Sequence, residues 1–190
     1  MTNVYDPNLN VAAGQGEARM KRIKDLRDPT VLFMLDYWRA KRGARRMPHP
    51  DAVDPVDFAR YLPNLQLIQV DHDPFDLSYR LLGGVVSDVH GGNYKARKVR
   101  DLDDLSPKFG SMMFELFRFV ALERRPYAAG GMLDAMGKGA TEFEGVYMPL
   151  SFDDERTDRI LCCSSYRVLL ESERIAREGE CGAPLKDILK

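Results

Sequence analysis

Several side chains in this sequence stand where they could do chemistry. His90 closes the stretch "GGVVSDVHGG", with Asp88 just before it and Tyr94 shortly after. Asp, His and Tyr in one short segment have the residue types of an acid–base set. Arg80 sits between apolar neighbours in "LSYRLLG". If buried, its guanidinium needs a carboxylate on a neighbouring strand or an acidic ligand, because an unpaired buried charge is costly. Cys162 and Cys163 are adjacent, and "KARKVR" is a short basic run.

Most of these features also have a plainer reading. The glycines around His90 lack the G-x-x-x-x-G-K-[ST] spacing, and no G-x-G-x-x-G opens a long helix, so they are no phosphate cradle. They read as corners where the chain turns. His49 and His72 lie in expected loops without the spacing of a zinc site. Neighbouring strand residues face opposite ways, so Cys162 and Cys163 suit neither a disulfide nor a shared metal, and one of them should pack in the core. The basic run has no aromatic ladder, and 28 basic against 29 acidic residues leave a net charge of −1. That balance gives no global field for nucleic acid or an anionic membrane.

The elements that must hold these groups follow from caps and periodicity. The 190 residues suit one domain with appendages. Residues 1–27 read as a flexible or loosely docked leader, with "EARMKRIKDLRD" as a possible helix. Asp28 and Pro29 start a helix whose Val31, Met34, Leu35 and Trp38 form one stripe, ended by Gly43. A proline-rich loop follows, and Asp54-Pro55 opens a second, short helix.

"LQLIQVDHD" and "FDLSYRLLG" read as hairpin strands, the second with Leu77, Tyr79 and Leu81 on one face. "VVSDVHG" is expected to form one or two helical turns. "SPKFGSMMFELFRFVALERRP" is a longer helix capped at Ser106, with Phe109, Met113, Leu116, Phe117 and Val120 inward. Three strands finish the domain: "YAAGGMLDAMG", "TEFEGVYMPLSF" and "DRILCCSSYRVLL". The tail 171–190 is charged. The expected fold is α+β, one antiparallel sheet of about five strands with helices between strands two and three and one N-terminal helix.

This arrangement resembles the PAS domain. The Trp-bearing leading helix "LDYWRAKRGARRMPHPDAVDP", the strands "YLPNLQLIQV" and "YRLLGG", and "YMPLS" in the fourth strand resemble a branch of short bacterial PAS-type proteins, over about residues 28–170. Gly84 departs from the pattern, standing where a Thr or similar residue is expected. The resemblance implies a bacterial sensory or regulatory module that binds a small ligand or a signalling partner, and the cysteine usage points to the cytoplasm. No kinase, cyclase or DNA-binding segment is recognisable, so output is expected to pass through a partner.

The resemblance also implies a cavity between sheet and insert. Its expected wall comprises Arg80, Val85, Val89, His90, Tyr94, Phe117, Tyr147, Cys162 and Ser164. The cofactor is left unknown. His90 could serve as an axial haem ligand, as in some haem-binding members. A covalent flavin is not expected, because no cysteine lies in the insert.

Extra apolar residues on both longer helices (Leu32, Phe33 and Tyr37; Met112, Phe114 and Phe119) point to a homodimer. No nucleic acid, membrane or catalytic role is expected. The competing readings are a ligand-free docking domain and a small isomerase- or hydrolase-type enzyme using Asp88, His90 and Tyr94. Three cysteines, an odd number, and the lack of an apolar leader or span fit a reducing compartment.

Overall fold

The structure is a computed structural model that describes residues 11–13, 16–104, 109–133, 141–170 and 172–173. The expected cap at Ser106, the end of the stretch "YAAGGMLDAMG" and most of the tail lie outside the described residues.

Helix α1 (Pro29–Arg42) starts where its signals stand. Asp28 Oδ1 accepts from the amides of Thr30 (2.8 Å) and Val31 (3.1 Å), and Gly43 ends the helix at φ 56°. The second Asp-Pro signal opens a 3-10 segment, Pro55–Asn64. The strands are β1 (Val11–Ala13), β2 (Gly16–Lys21), β3 (Leu65–His72), β4 (Phe75–Leu82), β5 (Tyr127–Met132), β6 (Thr141–Leu150) and β7 (Arg159–Val168). The insert between β4 and β5 carries α2 (Gly84–His90), a 3-10 turn at Val99–Asp104 and α3 (Phe109–Glu123). The sheet order is β1-β2-β5-β6-β7-β3-β4, with every named pair antiparallel.

The five expected strands are therefore joined by two more from the leader. β2 pairs with the outer edge of β5 through Arg19–Gly130, Met20–Ala129 and Lys21–Ala128. The segment read as a possible helix is drawn out because β5 would otherwise present a row of unpaired amides and carbonyls. A single 3-10 turn, Ile23–Asp25, then leads into α1.

The sheet has an apolar layer on each face. Leu65, Ala128, Val146, Met148, Leu161 and Cys163 meet Val31, Met34, Leu35 and Trp38 of α1 on one side. The Trp38 indole donates to the Pro149 carbonyl at 2.8 Å and locks α1 onto β6. Ile68, Val70, Leu77, Tyr79, Tyr147, Ile160 and Cys162 meet the insert on the other. Each large side chain so buried contributes roughly 1.5–3 kcal/mol. Cys162 and Cys163 separate onto the two faces, as strand alternation requires.

One bulge alters the expected alternation of β4. Leu67 pairs with Leu81 but Ile68 pairs with Tyr79, so Arg80 is the extra residue. The bulge turns Leu81 toward the α1 face, while Leu77 and Tyr79 face the insert. The outer edge of β4 is covered by the insert's own chain. Tyr79 N–H donates to the Arg97 carbonyl at 3.0 Å, and Ala96 N–H donates to the Tyr79 carbonyl at 2.6 Å.

Candidate functional site

The α1 face is filled by apolar groups, but the insert face is mixed. Gln66, Tyr79, Tyr147, Cys162 and Ser164 face it from the sheet, all buried, with half-buried Tyr166 beside them. His90, Tyr94 and Phe117 close it from the insert. Two glycines place these side chains. At Gly83 the chain leaves β4 so close to the 3-10 segment that an added Cβ would lie 2.3 Å from the Pro63 carbonyl oxygen. Gly91 ends α2 in the left-handed region at φ 81°, which leaves His90 as the last helical residue and turned inward. Gly145 makes room on the sheet: a Cβ there would come within 3.0 Å of Ser164 Oγ and 3.3 Å of the Tyr147 hydroxyl.

The rings form a continuous network. Tyr79 meets Tyr94 edge-on at 5.4 Å between centroids and Phe117 at 6.2 Å. His90 stacks on Tyr94 at 6.3 Å and meets Phe109 edge-on at 5.3 Å. Its Nε2 lies 3.2 Å from the Tyr166 hydroxyl. The Tyr79 and Tyr94 hydroxyls and Gln66 Oε1 are buried without a hydrogen-bond partner among the described residues. Burial, first of all, holds every phenol here in its neutral form. It pushes Tyr79 well up, helped by neighbouring Tyr94, Cys162, Tyr147 and Tyr166, and it raises Tyr94, Tyr147 and Tyr166 as well. The Cys162 thiol is pushed up for the same reason. The set is polar, uncharged and under-satisfied.

The structure brings together most of the residues expected to wall a cavity and leaves two outside. His90, Tyr94, Phe117, Tyr147, Cys162 and Ser164 are buried on the insert face, and Val89 is half-buried. Arg80 is exposed, because the bulge lifts it out of the alternation. Val85 is also exposed, and it is the next residue of the helical turn, Val86, that is buried. Asp88 is at the surface while His90 and Tyr94 are interior. Sequence reading missed Gln66, Tyr79 as a polar group, and Tyr166. Gln66 was legible only as a polar residue between two leucines on a strand. Its pairing with Cys162 and Leu82 is what puts it on the insert face.

A separate groove of about 420 Å³ opens on the α1 face, lined by Lys21, Arg27, Asp28, Glu142, Phe143, Glu144, Ser165 and Arg167. Its charges are engaged with one another. Glu144 accepts from the amides of Arg27 (2.6 Å) and Asp28 (3.1 Å) and from Lys21 Nζ (3.0 Å). Arg167 donates to Glu142 at 2.9 Å, and Ser165 Oγ to Asp28 Oδ2 at 2.6 Å. This is a clasp that ties the leader and the start of α1 to β6 and β7.

A family model described as PAS domain matches residues 26–165. The chain belongs to the PAS domain family. No curated protein and no solved structure matches it. Membership makes the chain one of a family of sensory and regulatory modules.

The interior of this PAS domain does not fit a haem. His90 is the histidine there, its Nε2 faces the Tyr166 hydroxyl, and Phe109 and Tyr94 pack against its ring. A covalent flavin would need a cysteine on the insert, whereas Cys162 and Cys163 both stand on β7, buried and unbonded to each other. Among the described residues, no group of three or more His, Cys, Asp or Glu side chains could hold a metal ion, and no helix is long and apolar enough to cross a membrane.

Proposed function

We propose that this PAS domain is a non-catalytic regulatory module that takes a small molecule into its insert-face interior and signals through protein contacts. The observation that carries the reading is the trio of Tyr79, Tyr94 and Gln66. Each is at least nine-tenths buried, and each holds a polar atom without a partner among the described residues. Such atoms cost about 1–3 kcal/mol each in an empty interior. A ligand that hydrogen-bonds to them would offset that cost and favour one packing of the insert against the sheet. Repacking α2 and α3 shifts the population between two surfaces offered to a signalling partner.

The module acts as a homodimer, in our reading, through the outer face of α1. Leu32 is exposed there, Phe33 lies 4.8 Å from Tyr61, and the Arg60 guanidinium covers both rings. The spare apolar residues of α3 are covered by the chain itself. Arg100 lies 3.6 Å over the Phe114 ring, and Phe119 meets Tyr127 at 4.6 Å. Unbonded buried cysteines fit the reducing cytoplasm.

Native mass spectrometry of freshly purified protein, with its absorption spectrum, tests the reading. A co-purifying mass, or a rise in unfolding temperature with members of a metabolite panel, supports the sensor. An empty protein that no panel member stabilises makes it a ligand-free docking domain.

A further inference from the structure

The chemistry of the insert-face interior narrows what can enter it, given the ligand-binding role proposed above. The side chains whose polar atoms face inward from the sheet are phenols, hydroxyls, a thiol and an amide: Tyr79, Tyr147, Ser164, Cys162 and Gln66. None carries a charge. An ammonium buried among them would lose its hydration without gaining a counter-ion, and a carboxylate or phosphate would find none on the sheet and only His90 opposite, whose Nε2 already faces the Tyr166 hydroxyl. A hydrocarbon would fill space but leave the trio unsatisfied. The three partnerless atoms differ in kind: two phenol hydroxyls can donate, and Gln66 Oε1 only accepts. The matching solute offers an acceptor and a donor on one neutral group. The surrounding rings of Tyr79, Tyr94, Phe117 and His90 favour a flat one.

We propose that the interior recognises small, uncharged, planar amides or lactams, with the tyrosine hydroxyls donating to the ligand carbonyl and Gln66 Oε1 accepting its N–H. In the empty protein Tyr79, Tyr94 and Gln66 each carry a stability cost, so their polar atoms serve binding at the expense of folding.

Titration of the ¹⁵N-labelled full chain with benzamide and 2-pyridone, against benzoate, benzylammonium and toluene, tests the class. Both amides should give saturable shifts in the amides of residues 77–94 and of α3, and the two ions should not. Tyr79→Phe and Gln66→Leu should each weaken benzamide by about tenfold, the loss of one good hydrogen bond. Neither should lower the unfolding temperature. Tyr94→Phe serves as the replacement if Gln66→Leu perturbs the sheet. Benzoate or toluene binding on this face in preference to the amides overturns the ligand class and leaves the sensor reading standing. Unchanged benzamide affinity in Tyr79→Phe and Tyr94→Phe overturns the assigned contacts. If no panel member binds and the purified protein carries no ligand, both the class and the sensor reading fail.

Discussion

Replacing Tyr79 by Phe should stabilise the protein rather than weaken it. The ring is fully buried, and its edge contacts with Tyr94 at 5.4 Å and Phe117 at 6.2 Å do not involve the hydroxyl. Phe keeps those contacts and most of the buried area. What is lost is a hydroxyl without a partner, whose burial costs about 1–3 kcal/mol. Against this stands the small void left by one oxygen, worth a few tenths of a kcal/mol at about 24 cal/mol per Å³. The net is a gain of about 1 kcal/mol, or roughly 2–4 °C in unfolding temperature for a chain of this size. Urea unfolding of both proteins measures it, as a rise in the midpoint with an unchanged slope. A loss of about 1 kcal/mol or more would refute the reasoning, because it would mean that the hydroxyl is satisfied in the folded state and has no binding role to explain.

Glu144→Ala removes the acceptor that holds Arg27 N–H, Asp28 N–H and Lys21 Nζ, and should cost about 2–3 kcal/mol. Hydrogen exchange should quicken in β2 and the first turn of α1 before it does in β7; uniform quickening would count against a local clasp. Gly83→Ala forces a Cβ to within 2.3 Å of the Pro63 carbonyl oxygen, and should cost about 3 kcal/mol or prevent folding. A variant as stable as wild type would show that the corner yields. Leu32→Glu places a charge on the outer face of α1, and should turn a dimer into a monomer by light scattering without changing the unfolding temperature of the monomer. An unchanged dimer would move the interface elsewhere.

Local chemistry makes α1 and the β4 corner legible in the sequence. Asp28-Pro29 and Gly43 are signals that act within one helical turn, and they mark the ends of α1 as observed. The glycines after "YRLL" turn the chain where expected, and Gly83 does so by backbone proximity to Pro63. The rest depends on partners far away in the chain. β2 is a strand because the edge of β5 needs one, which its own residues do not announce. The bulge at Arg80 follows from the pairing of β4 with β3, and it decides at once that Arg80 is outside and Leu81 faces α1.

The site was half visible for the same reason. His90, Tyr94 and Phe117 belong to the insert and could be placed there from the order of elements. Gln66 and Tyr166 enter only through strand register, which one residue of slip would reverse. The spare apolar residues of α3 looked like an open face. Arg100 and Tyr127 cover it, and neither lies on that helix.

The central claim is that a small molecule enters between the sheet and the insert, and intermolecular nuclear Overhauser effects test it most directly. With benzamide bound to the full chain, the account predicts contacts from the ligand ring to the ring protons of Tyr79, Tyr94 and Phe117, and none to Trp38 on the α1 face. Contacts to Lys21 and Arg167, in the groove beside the start of α1, with none to Tyr79 or Tyr94, would contradict it.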